Sequence, residues 1–194
     1  KPDVLLSGSA VGWYGDAGER ELDERQPPVS SDYASQLCAA WEDAALLAEP
    51  LGIRVVRIRT GLVLAADGGF LKRLLLPFKL ALGGPIGNGR QWMPWIHLHD
   101  QVALMDFLLH HEAACGPYNA CAPAPVRSRA FAKALGAALH RPAFMPLPAI
   151  FLKLGLGELS VLLLGGQRAL PKRLLEAGFV FRFNTLETAL ADLL

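Results

Sequence analysis

"IRVVRIRTG", residues 53–61, is the stretch on which the fold turns. Apolar Ile53, Val55, Val56 and Ile58 are interleaved with Arg54, Arg57 and Arg59, and the run stops at Thr60 and Gly61. A short β-branched run closed by small residues predicts a strand. Upstream, "PDVLLSGSA" (2–10) has the same character and ends in Ser7 and Ser9, as a buried parallel strand does on reaching a site. Between the two, Ser30, Ser31 and Asp32 can cap a helix that runs to Glu49 and stops at Pro50 and Gly52. Strand, helix and strand make a βαβ unit with a right-handed crossover. Ligands of such sheets bind beyond the carboxyl ends of the strands. Ser7 and Ser9 therefore share one crevice with Arg59, Thr60 and Gly61.

Further along, "GGFLKRLLLPFKLALGGPIGNGRQWMPWIH" (68–97) predicts a helix, then a flexible glycine loop carrying two tryptophans. Asp100 is placed to cap a helix over "QVALMDFLLHH" (101–111). "GPYNACAP" (116–123) predicts a short strand, and "VRSRAFAKALGAALH" (126–140) a helix capped from Ser128. The tail from Leu170 predicts a short helix, a short extended piece and a terminal helix. Neither an internal repeat nor a low-complexity linker interrupts the 194 residues, a length suited to one well-buried unit with a small appendage.

Composition removes several functions. The chain is 52% hydrophobic and 19% charged, with a mean hydropathy of +0.29 and a formal net charge of +1. With no basic stripe, nucleic acid is not an expected partner. Cys38, Cys115 and Cys121 are odd in number and lack metal-ligand spacing, which suits a reducing, cytoplasmic setting. No signal peptide is expected, since the amino terminus reads as a strand. "LPAIFLKLGLGELSVLLLGG" (147–166) approaches a membrane span in length, but Lys153 and Glu158 argue for a helix packed within a soluble protein. His97 and His99 alternate on an expected strand and so face opposite ways, while His110 and His111 end a helix. No metal site is expected.

A nucleotide-binding sheet ordinarily begins with a strand, a glycine-rich turn and a helix that receives the pyrophosphate. "GGPIGNGR" (83–90) has glycines without that context. Taken together, "LLSGSAVGWYGD", "LCAAWEDAA", "RVVRIRTGLVL", "GGPIGNGRQWMPWIHLHD", "GPYNACAPAPV" and "GQRALPKRLLEAGF" resemble the atypical short-chain dehydrogenase/reductase group labelled epimerase-family or nucleoside-diphosphate-sugar epimerase-like. The resemblance covers nearly the whole chain. It implies an α/β fold, the second half of a Rossmann-type parallel sheet over residues 1–142. A small, mostly helical, family-specific substrate region follows over 143–194. It also implies that the chain is a later piece of a longer protein. An unpaired first strand would leave a sheet edge open. The frame upstream is thus expected to encode about 100 residues with G-x-x-G-x-x-G after a strand.

The resemblance implies NAD or NADP as cofactor, contacted by Ser7 and by the backbone of Arg59, Thr60 and Gly61. Relatives of this kind use a Ser to polarise a substrate oxygen, then Tyr-x-x-x-Lys on the next helix, with Glu four residues after the Lys. Such a Tyr must ionise far below its free value of about 10. Counting back from Glu42 puts Cys38 at the Lys position and Ala34 at the Tyr position. Tyr33 stands one residue away, turned by about 100° around the helix. Ser9 matches the Ser, so Ser9 and Cys38 are the catalytic candidates, each with a plain alternative as a local hydrogen-bonder and a small buried side chain. If this register holds, Ser9, Cys38 and the Arg59–Gly61 backbone line one crevice with Ala34 facing it and Tyr33 turned away. Sugar-nucleotide epimerases place an Arg four residues before the position of His97, where this chain has Met93. Arg90, Trp92, Met93 and Trp95 are the substrate candidates, with both tryptophans equally suited to a core. The function expected is that of an NAD(P)-dependent oxidoreductase or epimerase-like enzyme without the usual Tyr/Lys pair. The alternative is a non-catalytic NAD(P)-binding sensor or interaction protein. A small-molecule substrate and, as one option, a second copy of the chain in a homodimer are the expected partners, with no membrane.

Overall fold

The computed structural model describes residues 1–29, 32–146 and 165–194. The chain runs through β1 (Val4–Ala10), a 3₁₀ turn (Val11–Tyr14), β2 (Glu21–Leu22), α1 (Tyr33–Leu46), β3 (Arg54–Thr60), β4 (Leu62–Leu64), α2 (Gly69–Lys79) and β5 (Trp92–Met93). It continues through β6 (Trp95–His97), α3 (Leu98–His110), β7 (Gly116–Ala120), β8 (Val126–Arg127), α4 (Ser128–Ala138), β9 (Arg168–Ala169), α5 (Lys172–Glu176) and α6 (Leu186–Leu193). The fold is α/β around a parallel sheet in the order β1-β3-β7. Ser9 pairs with Arg59, Ala10 with Thr60, and Thr60 in turn with Ala120, so the three carboxyl ends finish level.

Strand alternation divides the sheet residues between two layers. Ser9, Arg57 and Arg59 face α1, whose buried stripe is Ala34, Cys38, Glu42 and Ala45. Val56, Ile58, Tyr118 and Ala120 face the other way and pack on Leu104 and Leu108 of α3, together with Ile96, Leu174 and Phe181. Each such aliphatic side chain contributes about 1.5–3 kcal/mol on burial. A second core joins Leu71 and Phe78 of α2 to Trp95, to Phe131 and Leu135 of α4, and to Leu186 and Leu190 of α6. Between the layers β4 pairs in parallel with β6. Gly61 allows this junction: a Cβ there would lie 2.4 Å from the Pro94 carbonyl oxygen.

Several local expectations are corrected. Asp100 does not cap α3. The helix starts three residues earlier, with His97 as N-cap through Nδ1, which accepts the His99 N–H at 2.9 Å. The Asp100 carboxylate is buried and accepts the N–H groups of Arg182 and Phe183, each at 3.0 Å. His97 and His99 do not alternate on one strand, because β6 ends at His97 and His99 lies in the first turn of α3. Ser128 does not cap α4 either; its Oγ accepts the Ile86 N–H at 3.0 Å. That bond ties down the glycine loop expected to be flexible, and Gln91 Nε2 adds a second tie to the Ile86 carbonyl. The piece between α5 and α6 joins no sheet; it is held by Asp100 through the N–H groups of Arg182 and Phe183. Ser30, Ser31 and residues 147–164 of the apolar stretch lie outside the described residues. Among the described residues, no helix is long and apolar enough to cross a membrane.

Candidate functional site

The site grows from the spacing of α1. Ala34, Cys38 and Glu42 recur every four residues and so share the face turned to β1 and β3. Asp32 starts this helix, its carboxylate accepting the Ser35 N–H at 2.9 Å, and Ser35 Oγ reaches the Trp13 carbonyl at 2.8 Å. Tyr33 is 52% exposed and points away from the sheet.

Glu42 is the centre of the buried polar structure. Its Oε1 accepts from Ser9 Oγ at 2.9 Å and from Arg59 Nε at 2.7 Å, and its Oε2 accepts from Arg59 Nη2 at 2.9 Å and Arg57 Nη1 at 3.1 Å. Glu42 and Arg59 are each only 2% exposed. A carboxylate can be held this deep because two guanidinium groups and a hydroxyl fill its acceptor sites. The Arg59 guanidinium also lies 3.4 Å from the ring centroid of Trp13.

Cys38 is buried beside Ser9 and the backbone of Ala10. Burial pushes its thiol above the ordinary range, and the negative charge of Glu42 pushes the same way. A thiol so placed is a neutral filler at neutral pH. Tyr14 is the fully buried tyrosine near the strand ends, with its hydroxyl 2.9 Å from Asn119 Oδ1 and 3.0 Å from the Asp23 carbonyl. Burial drives it up to about 12. Glu24, also buried, accepts the N–H groups of Asn119 at 3.0 Å and Arg173 at 3.2 Å, and burial raises its carboxyl above the usual range.

A cleft of about 180 Å³ opens at the carboxyl ends of β1 and β3. Its floor is Ala10, Val11, Gly12, Thr60 and Gly61, and one wall is Leu62 with Trp92, Met93 and Pro94. Gly165 and Gln167 complete the lining.

The sequence candidates are divided among these places. Thr60 and Gly61 line the cleft, whereas the Arg59 side chain belongs to the Glu42 pair. Ser9 and Cys38 lie together behind the floor, and Ser7 is half-buried, level with Arg57. Trp92 and Met93 reach the cleft wall, but Met93 is otherwise buried in the second core. Trp95 is wholly buried, its Nε1 donating to the Ala124 carbonyl at 3.0 Å. Arg90 is exposed beside a separate polar recess with Asp16, Glu19 and Asn88.

In the sequence Glu42 serves only to set the register, and Trp13, Tyr14, Glu24, Asn119 and Gln167 do not stand out as site residues. For Gln167 a signal existed, since it stands inside the motif "GQRALPKRLLEAGF" directly after two glycines.

Comparisons with known proteins agree with this architecture. The NAD dependent epimerase/dehydratase family matches residues 1–121, and a domain of unknown function (DUF1731) matches residues 147–193. The chain is 39% identical over 194 residues to the epimerase family protein YfhF of Bacillus subtilis (strain 168), covering all of this chain and 64% of that protein. It is 41% identical over 192 residues to the epimerase family protein SDR39U1 of Mus musculus, covering 98% of this chain and 65% of that one. The chain thus spans a little under two thirds of the relatives it matches. A crystal structure of human epimerase family protein SDR39U1 (isoform 2) with NADPH superposes with a TM-score of 0.94 at 37% identity, over 99% of this chain and 65% of the other. The fold alone is shared with the UDP-glucose 4-epimerase of Thermus thermophilus in complex with NAD, at a TM-score of 0.71 and 17% identity over 97% of this chain and 62% of that one.

Proposed function

Because the chain belongs to the NAD-dependent epimerase/dehydratase family, we propose that the whole protein is an NAD(P)-dependent oxidoreductase acting on a small, weakly polar carbonyl compound or alcohol. The observation that carries this reading is the cleft at the ends of β1 and β3, floored by small residues and walled by Leu62, Trp92, Met93 and Pro94. Ala10, Gly12, Thr60 and Gly61 leave room at the strand ends for the flat nicotinamide ring of NAD(P), which when bound supplies or takes a hydride. The chain's own residues orient the partner molecule against that floor and exclude water with Trp92 and Pro94. The proton that accompanies a hydride is left to water, since neither Cys38 nor Tyr14 lines the cleft.

Sugar nucleotides are poor candidates. A charge-assisted contact to a diphosphate contributes about 1.5–3 kcal/mol, and the matching position holds buried Met93. The missing Tyr/Lys pair removes a further factor of about 10²–10⁴ from proton transfer.

A second reading, a cofactor-binding sensor or interaction protein without turnover, is favoured by one observation: Ser9 points its hydroxyl at Glu42. The test is a single-turnover assay on the full-length protein, with C4-deuterated NADPH and a panel of small aldehydes and ketones. Deuterium in an alcohol product supports the oxidoreductase. Tight NADPH binding with no transfer to any member selects the second reading. Turnover of UDP-glucose to UDP-galactose at ordinary epimerase rates would overturn both.

A further inference from the structure

The cleft has one wall that neither the sheet nor the tryptophan loop provides. Gly165 and Gln167 come from the carboxy-terminal part of the chain and are fixed there by bonds to the loop after β1. The Gly166 N–H donates to Asp16 Oδ1 at 3.2 Å, and the Gly166 carbonyl accepts the Ala17 N–H at 3.2 Å. Directly afterwards β9 pairs in parallel with β2. Gly166 also lies against the tryptophan wall, where a Cβ would meet the Trp92 nitrogen at 2.9 Å. The segment is therefore part of the cleft, with little freedom to shift against Trp92.

Gln167 is 7% exposed, and its Nε2 donates to the Gly15 carbonyl at 3.0 Å. That bond settles which way the amide points. It leaves Oε1 as an acceptor with no bond among the described residues, on a side chain lining the cleft. Thr60 also lines the cleft, but its Oγ1 leans back on the Ile58 carbonyl at 3.4 Å. No ionisable side chain lines the cleft among the described residues. A charged ligand would lose its water there and find no counter-charge among the described residues. A neutral molecule with an O–H or N–H donor beside an apolar body loses little, because Gln167 accepts the donor and Leu62, Trp92 and Met93 cover the body.

We propose that Gln167 is the specificity-determining side chain of this cleft, and that its ligand is a compact neutral molecule presenting one O–H or N–H donor. The inference rests on reading the cleft as the substrate site, and it is tested by binding alone, so absence of turnover does not decide it. In the full-length protein saturated with NADPH, benzyl alcohol, toluene and sodium benzoate are titrated by ligand-observed NMR. Wild type should bind the alcohol about 3- to 10-fold tighter than toluene, the range of one neutral hydrogen bond, and benzoate weakest of all. Gln167→Met should bind alcohol and toluene alike. Gln167→Glu, which loses the N–H held by the Gly15 carbonyl and sets an unpaired charge in its place, should lose the preference as well. NADPH affinity should match in all three proteins. The proposal is overturned if the alcohol preference survives in Gln167→Met, if benzoate binds as well as the alcohol, or if no probe binds. It also falls if Gln167→Met weakens NADPH and leaves the probe preference intact, because the donor would then be the cofactor's amide.

Discussion

Ser9 gives its hydroxyl proton to Glu42, 2.9 Å away, and the acceptor is a carboxylate already held by Arg57 and Arg59. A serine hydroxyl has one proton to donate. So arranged, Ser9 presents lone pairs to its surroundings and braces the carboxylate from the β1 side.

Removing that carboxylate should therefore be severe. Glu42→Ala leaves the Arg59 guanidinium buried without a counter-charge, and stability should fall by about 3–5 kcal/mol. The double variant Glu42→Leu with Arg59→Leu should lose less than Glu42→Ala alone. Urea midpoints of the three proteins decide this. Equal losses in both variants would mean that the pair is not what holds α1 to β3.

The cysteines should separate by accessibility. Cys115 is exposed, whereas Cys38 and Cys121 are buried. Burial raises both buried thiols, Cys121 most strongly. At pH 7.5, iodoacetamide followed by peptide mass spectrometry should label Cys115 within minutes and the other two only after denaturation. Native labelling of Cys38 would restore it as a nucleophile.

Acid should loosen the junction at the start of α3. Burial lowers His97 below its ordinary value, and Asp192 and Asp100 offset this only in part, while neighbouring His99 adds to it. The His97 Nδ1 accepts the His99 N–H, and its Nε2 lies 3.3 Å from Asp192 Oδ2 without hydrogen-bond alignment. The unfolded chain then binds more protons than the native one below about pH 6.5. Stability from this group is full above that pH and is lost as the pH falls toward the depressed native value. His97→Asn, which keeps an N-capping side chain, should flatten this part of the stability–pH curve. An unchanged slope between pH 5 and 7 would rule His97 out as its source.

Asp100 should matter through the tail it holds and not as a cap. Asp100→Ala removes acceptors from the N–H groups of Arg182 and Phe183, at about 1.5–3 kcal/mol for each bond to a charged group. Amide exchange at these two positions should accelerate far more than at α3. Faster exchange confined to the first turn of α3 would instead identify Asp100 as its cap.

Restoring the Arg expected of sugar-nucleotide epimerases should not restore their binding. Met93 packs in the core with Leu71 and Trp95. Met93→Arg places an unpaired charge there and should destabilise by about 3–5 kcal/mol. Calorimetry with UDP-glucose should show no gain in affinity. Micromolar binding by a folded variant would show that an Arg at this point of the cleft wall can reach the diphosphate.

The βαβ unit was legible because its evidence is local. Arg54–Thr60 and Val4–Ala10 carry strand composition and end in small residues, and the 34/38/42 spacing puts one helix face on the sheet. What sequence could not supply were partners far along the chain. Asp before an apolar run reads as a cap, and nothing near Asp100 announces that Arg182 and Phe183 will fold back onto it. Ser128 misleads in the same way, its partner being Ile86. Trp92 and Trp95 sit in one motif, yet one reaches the cleft and the other is core. The difference follows from β5 and β6 joining different strands, β8 and β4. Two-residue strands such as β2 and β9 have no composition signal and exist only because the chain returns to them.

That return has a kinetic side. The bonds fixing the carboxy-terminal part of the cleft lining link residues 150 apart for Gly166 with Asp16 and 152 apart for Gln167 with Gly15. Contacts of such high order close large loops and form after local ones. A nascent chain can assemble β1, α1 and β3 long before the segment carrying Gln167 has been synthesised. The cleft is thus among the last parts of the molecule to acquire its shape. Its small enclosing contacts also make it an early part to open under mild denaturant, ahead of the sheet beneath it.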